Sequence, residues 1–236
     1  MTVPELIQFI NREFEASAEP QFAANLRWFF KETVDPYGVR GARIRQLAAA
    51  VYREIKNSPV AQRDRLCEAL WKSGKLESGV LVSHLYRRFR KQCGAREFAV
   101  FERWLDRYVK NWAHTDGVAG WLLAASIEND PRLIDRLFDW PNARSRWKRR
   151  AAAVALIQEA KRGRHTEAIF KMAEVLFPDE DDMVRKGVGW LLKETYPKRP
   201  EATVEFLRER HSQISRLTLR YAAEKMTPED KRNAGL

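Results

Sequence analysis

The chain is predicted to be all-α, and three features of the sequence carry that prediction. Apolar residues return at every third or fourth position along most of its length, as one buried face of a helix requires. No segment alternates apolar and polar residues convincingly over the length of a strand. A pattern of basic pair, small residues and apolar run appears in WKRRAAAVALIQEA and returns 36 residues later in MVRKGVGWLLKETY.

Taken in order, the first two helices are expected at roughly 3–17 and 20–34, separated by Glu19-Pro20. The second carries an apolar stripe of Phe22, Leu26, Phe29 and Phe30. The turn residues Asp35-Pro36-Tyr37-Gly38 break the pattern. Between 41 and 56, Ile44, Leu47, Val51 and Ile55 fall on one side of a helix, with Arg40, Arg43 and Arg45 around its start. Further helices are expected at 59–73, 77–92 and 95–109, the last with Phe98, Phe101, Leu105 and Tyr108 on one stripe. Ser73-Gly74 and Cys93-Gly94 mark helix ends. The second half predicts helices at 112–128, 131–139, 143–162, 165–177, 180–195, 200–210 and 212–225. Pro131, Pro141, Pro178, Pro197 and Pro200 lie at or beside these boundaries, where a missing N–H costs little.

The returning pattern has a third, weaker copy in Ile214-Ser215-Arg216-Leu217-Thr218-Leu219-Arg220-Tyr221. Two helices per unit at this period suit an α-solenoid of HEAT-like repeats, in which each repeat buries its face against its neighbours and one concave face stays free for charge. No Pro-, Gly- or Ser-rich linker interrupts the chain, so residues 1–236 are expected to form a single domain and a monomer.

Charge narrows the partner. The balance of 43 Lys and Arg against 32 Asp and Glu gives a formal charge of +11 and a pI near 9.8, which points to a polyanion, with nucleic acid the first candidate. The basic residues cluster in Arg144-Ser145-Arg146-Trp147-Lys148-Arg149-Arg150, Arg87-Arg88-Phe89-Arg90-Lys91 and Lys161-Arg162-Gly163-Arg164. Any one cluster reads more readily as a solvated helix face; several on successive repeats read as a groove for phosphates. Arg43, Lys148, Arg149, Arg185 and Lys186 are the phosphate contacts expected. Trp112, Trp147 and Trp190, interleaved with the charge, are placed to meet bases or sugars. Cys67 and Cys93 make no disulfide framework and no metal knuckle. His84, His114, His165 and His211 lack ligand spacing and are read as exposed or capping residues. MTVPELIQFINREFE is neither a secretion signal nor a membrane anchor, so a cytoplasmic protein with no metal, cofactor or membrane partner is expected.

One constellation stands out. Trp112 and Asp116 are four residues apart and share a helix face. Arg150 follows Asp116 by 34 residues and Lys186 follows Arg150 by 36, with Trp190 one turn beyond. If each repeat gives one helix to a common inner surface, these residues hold matching registers and face the same way. Each also has a plain structural reading: Asp116 as a first-turn acid, Trp190 as core, Arg150 as one phosphate contact among many.

The segments LRWFFKE, YGVRGARIRQLAAAVYREI, LWKSGKLE, NWAHTDG, WKRRAAAVAL and VRKGVGWLLKE, in that order, resemble the AlkD-like DNA alkylation repair glycosylases over nearly the whole chain. The resemblance implies a HEAT-repeat enzyme that engages damaged duplex DNA and releases cationic N3- or N7-alkylated purines such as 3-methyladenine and 7-methylguanine. It makes Asp116 the catalytic carboxylate, Trp112 and Trp190 the aromatic pair flanking the lesion, and Arg150 the active-site arginine. Ala113 and His114-Thr115 depart from the residues usual after the first tryptophan and leave that set intact. The competing class is a non-catalytic HEAT-repeat module that binds nucleic acid or serves as a scaffold.

Overall fold

The structure, a computed structural model, describes residues 1–236. Fifteen α-helices follow one another: α1 (Val3–Ala16), α2 (Pro20–Phe29), α3 (Gly41–Ile55), α4 (Val60–Lys72), α5 (Leu76–Tyr86), α6 (Ala95–Arg107), α7 (Trp112–Gly117), α8 (Ala124–Asn129), α9 (Arg146–Val154), α10 (Ile157–Arg162), α11 (Thr166–Leu176), α12 (Asp182–Thr195), α13 (Pro200–Arg210), α14 (Arg216–Ala222) and α15 (Pro228–Asn233). There is no strand, only an isolated bridge between Asp35 and Lys75. The all-α expectation is met.

The differences from expectation have local causes. The helix expected at 112–128 is three consecutive segments, because a π-helical stretch, Val118–Leu123, lies between α7 and α8. The helix expected at 131–139 is a 3-10 helix, Pro131–Asn142, started by the Asp130 side chain accepting the Arg132 N–H. The span 143–162 is two helices, α9 and α10. The last helix, α15, falls outside the expected set; Thr227 caps it by accepting the Asp230 N–H, and Pro228 opens it. The stripe on α2 is not core: Ala23 is its one buried residue, Phe29 is 62% exposed, and Phe30 is buried just past the helix end.

Packing divides the chain into two compact units, residues 1–92 with 107–117, and residues 93–106 with 118–236. In the first unit α3 packs on α5, α5 on α7, and α4 against α1 and α5. The turn between α2 and α3 is anchored to α5. The backbone N–H groups of Tyr37, Gly38 and Val39 all donate to the buried Glu77 carboxylate, at 2.9, 2.8 and 3.0 Å. Three donors on one buried carboxylate satisfy its charge without a cation.

In the second unit α9 packs on α12 and α12 on α14, with α11 against α9 and α12. The α12–α14 approach depends on Gly189, since a Cβ there would lie 2.5 Å from Tyr221 Cβ and 2.8 Å from the Thr218 carbonyl oxygen. Helices α3, α5, α7, α9, α12 and α14 start at 41, 76, 112, 146, 182 and 216, an advance of 34 to 36 residues each time. Tandem helical repetition is therefore a property of the backbone, each unit holding three of these helices.

Candidate functional site

Helix α7 presents two faces set by its own residues. Asn111 precedes it and accepts the His114 N–H at 2.9 Å, while the Asn111 carbonyl accepts from the Thr115 hydroxyl at 2.8 Å. His114 and Thr115 point inward and are buried. The His114 ring sits edge-on to Trp71, and its Nε2–H donates to the Leu76 carbonyl at 2.8 Å, leaving Nδ1 to accept from the Asn111 amide at 3.2 Å. Burial holds the imidazole down to about pKa 4, against a smaller opposite pull from the Leu76 carbonyl. His114 is thus a neutral core residue, which corrects its reading as exposed or capping. A protonated imidazole there would have to give up the bond that Nδ1 accepts.

Trp112 and Asp116 occupy the other face of α7, both half-buried. The Trp112 indole is stacked on Phe30, with centroids 5.2 Å apart and planes 11° from parallel, and Phe29 meets it edge-on at 6.0 Å. Phe30 therefore fixes the indole from behind. The sequence places Phe30 in a helix stripe; the run Trp28-Phe29-Phe30, three aromatics where one buried face takes one in three or four, signals that not all of them are helix core, but not that Phe30 meets Trp112. The π-helical stretch begins two residues after Asp116, and such segments recur at functional sites.

In the second unit the arginine is not on the surface. Arg150 is 5% exposed, its Nη1 donates to the Met183 carbonyl at 2.6 Å, and its stem lies against Gly187. It joins α9 to the first turn of α12, and one of its N–H groups is occupied within the protein. Trp190, on α12, is half-buried, and its Nε1–H donates to Glu194 at 3.3 Å. Burial pushes the Glu194 carboxyl up, and Lys225, Lys161 and the Trp190 N–H together outweigh that and hold it below the ordinary value. Trp147 is buried under the Arg146 guanidinium and has no face to offer a base, contrary to expectation.

The five expected phosphate contacts differ in what they have left to give. Arg43 is ion-paired with Glu13 and bonded to the Ser17 hydroxyl. Lys148 lies between Asp106 and Glu102, at 2.9 and 3.3 Å. Arg149 holds Asp179 at 2.5 Å and also donates to the carbonyls of Ala143 and Arg144. Arg185 donates to the Asp179 carbonyl at 2.7 Å. Lys186 alone among them has no partner. It is the fifth residue of α12, as Asp116 is of α7, Arg150 of α9 and Arg45 of α3. The expected matching registers are therefore present along the backbone.

A second concentration of charge lies in the first unit, where Arg45, His84, Arg87, Arg88, Arg90 and Lys91 line a cavity of about 480 Å³ with Tyr52. Burial first, and then Arg45, Arg87 and Arg88, hold the His84 imidazole down to about pKa 4. Another cavity in that unit, of about 390 Å³, is lined by Trp71, Tyr108 and His114 among others, and neither Trp112 nor Asp116 borders it. No three His, Cys, Asp or Glu side chains come together as metal ligands, and no helix is long and apolar enough to cross a membrane.

A solved structure described as a predicted DNA alkylation repair enzyme from Enterococcus faecalis superposes with a TM-score of 0.81, over 90% of this chain and 98% of that one, at 16% identity. No curated protein matches. Residues 10–226 match the family of DNA alkylation repair enzymes, and a match over that much of the sequence shows that this chain belongs to it.

Proposed function

We propose that the protein is a monofunctional DNA glycosylase, active as a monomer of one functional domain, that hydrolyses the N-glycosidic bond of cationic N3- or N7-alkylated purines in duplex DNA. The observation that carries this reading is the outward face of α7. In a chain of this family, a tryptophan held from behind by Phe30 and a carboxylate one turn away share the half-exposed side of a short helix whose inner side is fully bonded.

The chemistry asks little else of the protein. Alkylation at N3 or N7 puts positive charge on the base, so the base takes the bonding pair and leaves neutral, with no general acid. The sugar becomes oxocarbenium-like, water adds at C1′ and loses a proton to solvent, and an abasic site remains. The Asp116 carboxylate stabilises that sugar cation by about 4 kcal/mol at a separation of about 4 Å and an effective dielectric of about 20, or roughly a thousandfold in rate. The Trp112 and Trp190 faces add cation–π attraction of about 0.5 to 2 kcal/mol. Arg150 supports the first turn of α12, which carries Lys186, and Lys186 contributes a free ammonium to a phosphate.

The test is incubation with methylated duplex DNA and chromatography of the released bases, beside an untreated duplex. Asp116→Asn should slow single-turnover release by roughly a thousandfold and leave DNA affinity equal or slightly higher, because it removes a charge that attracts the sugar cation and repels phosphate. Release at the wild-type rate would remove Asp116 as the catalyst. Retained DNA binding with no release from either protein would instead support the non-catalytic module.

A further inference from the structure

Helix α2 ends in a feature that the catalytic reading leaves unused. Trp28 is 88% exposed and Phe29 62% exposed, the two largest departures from burial among the aromatic side chains. They are not stray. Phe29 meets Phe30 edge-on at 5.7 Å and Trp112 edge-on at 6.0 Å, and Phe30 lies flat on Trp112, so Phe29 extends an aromatic cluster that ends at Trp112, and Trp28 is the adjoining residue in the chain. Arg27 and Lys31 flank them, exposed and without ion-pair partners. An indole held almost wholly in water contributes little to folding, and a large exposed ring beside a second exposed ring and two cations marks a binding surface.

We propose that Trp28 is a base-stacking residue that holds a nucleobase deprived of its partner, with Arg27 and Lys31 taking the adjoining phosphates. The proposal rests on the reading that DNA is engaged at the Trp112 face, and it adds a contact outside the Asp116, Arg150 and Trp190 set. The chemistry favours nucleic acid for two reasons. A flat ring offers every base a π-face, and two unpaired cations beside it match a phosphate backbone. A membrane surface fits less well, because the other exposed residues of α2 are the small Pro20 and Ala24 and the polar Gln21, Asn25 and Arg27, with Gln21 and Asn25 hydrogen-bonded to each other at 3.1 Å, and they add no large apolar side chain to insert into lipid.

The experiment uses undamaged DNA, so it does not depend on base release. Anisotropy titrations compare a fully paired duplex with the same duplex in which one base faces a stable abasic analogue. Trp28→Ala should weaken binding to the duplex with the partnerless base by roughly tenfold and change the fully paired duplex by less than about twofold, as loss of one stacked base predicts. Trp28→Phe should restore most of the difference. Because Trp28 is exposed, its thermal melt should be that of the wild type, which separates lost stacking from lost folding. Equal affinities of wild type and Trp28→Ala for both duplexes would overturn the proposal. So would an unchanged DNA profile together with loss of adsorption to phosphatidylglycerol vesicles, which would assign the patch to lipid. Failure of Asp116→Asn to slow base release would overturn the catalytic reading and leave this result standing.

Discussion

At the scale of single residues, the sequence identifies types and spacings, and the fold decides which side chains remain available. Trp112 and Asp116 share a face as their four-residue spacing requires. The neighbours that give that face its meaning are distant: Phe30 lies 82 positions from Trp112, and Leu76 accepts from His114 across 38. Arg149 illustrates the limit from the other side. It sits in a run with five basic residues of seven, yet its guanidinium is committed to Asp179 and two carbonyls. His114 yields a test at this scale. Its imidazole titrates near 4 in the fold and near 6.5 when unfolded, so between those values the unfolded chain binds the extra proton. Stability should therefore be level above about pH 6.5 and fall as pH drops toward 4, by an amount on the order of 3 kcal/mol. Urea denaturation of wild type and His114→Gln at pH 7 and pH 5 checks this. The variant should be less stable at pH 7 and lose less on acidification, and parallel losses in both proteins would show that other groups set the acid limit.

At the scale of elements, periodicity located nearly every helix because each must bury one apolar stripe, and the proline and glycine punctuation set most boundaries to within a few residues. What periodicity did not convey was helix type. Apolar residues at spacings of three and four are compatible with 3-10, α and π geometry in short segments, so the sequence pattern did not separate Val118–Leu123 and Pro131–Asn142 from α-helix. The stripe on α2 failed for a different reason: exposed aromatics and core aromatics are the same letters. Close helix approach was partly visible in the small residues Gly187 and Gly189, and it supplies a test. In Gly189→Ala the new methyl group would fall 2.5 Å from Tyr221 Cβ and 2.8 Å from a backbone oxygen, so α12 and α14 must separate. The overpacking should cost about 1 to 3 kcal/mol, offset in part by the roughly 1 kcal/mol that alanine gains over glycine in a helix. A lower urea midpoint at unchanged slope is expected, and a midpoint at or above that of the wild type would show that the helices yield without cost.

At the scale of the whole molecule, the +11 charge pointed to a polyanion, and the family match is to DNA alkylation repair enzymes. Much of that charge is nevertheless tied to the protein's own carboxylates, and the cations with least internal commitment, such as Arg27, Lys31 and Lys186, are spread along the chain and not confined to its most basic runs. On the glycosylase reading proposed above, cations spread in this way would hold the backbone without reading sequence, so selection of a substrate would come from the lesion. The constellation proposed here offers one criterion, which is the charge of the leaving base. It contains no general acid: His114 is neutral and buried behind α7, and an arginine does not give up its proton. Trp112 and Asp116 border neither the 390 Å³ cavity nor the 480 Å³ cavity of the first unit, so neither of those pockets measures the base. Duplexes carrying 3-methyladenine or 7-methylguanine should accordingly lose the base, and bulkier cationic N3 or N7 adducts should be accepted as well. Uracil and hypoxanthine, which leave poorly without protonation, should stay. Single-turnover excision from matched duplexes with one lesion each decides the matter. Comparable rates for 7-methylguanine and uracil would require an acid or an anion-stabilising group that this face of α7 does not have, and would end the charge-selection mechanism.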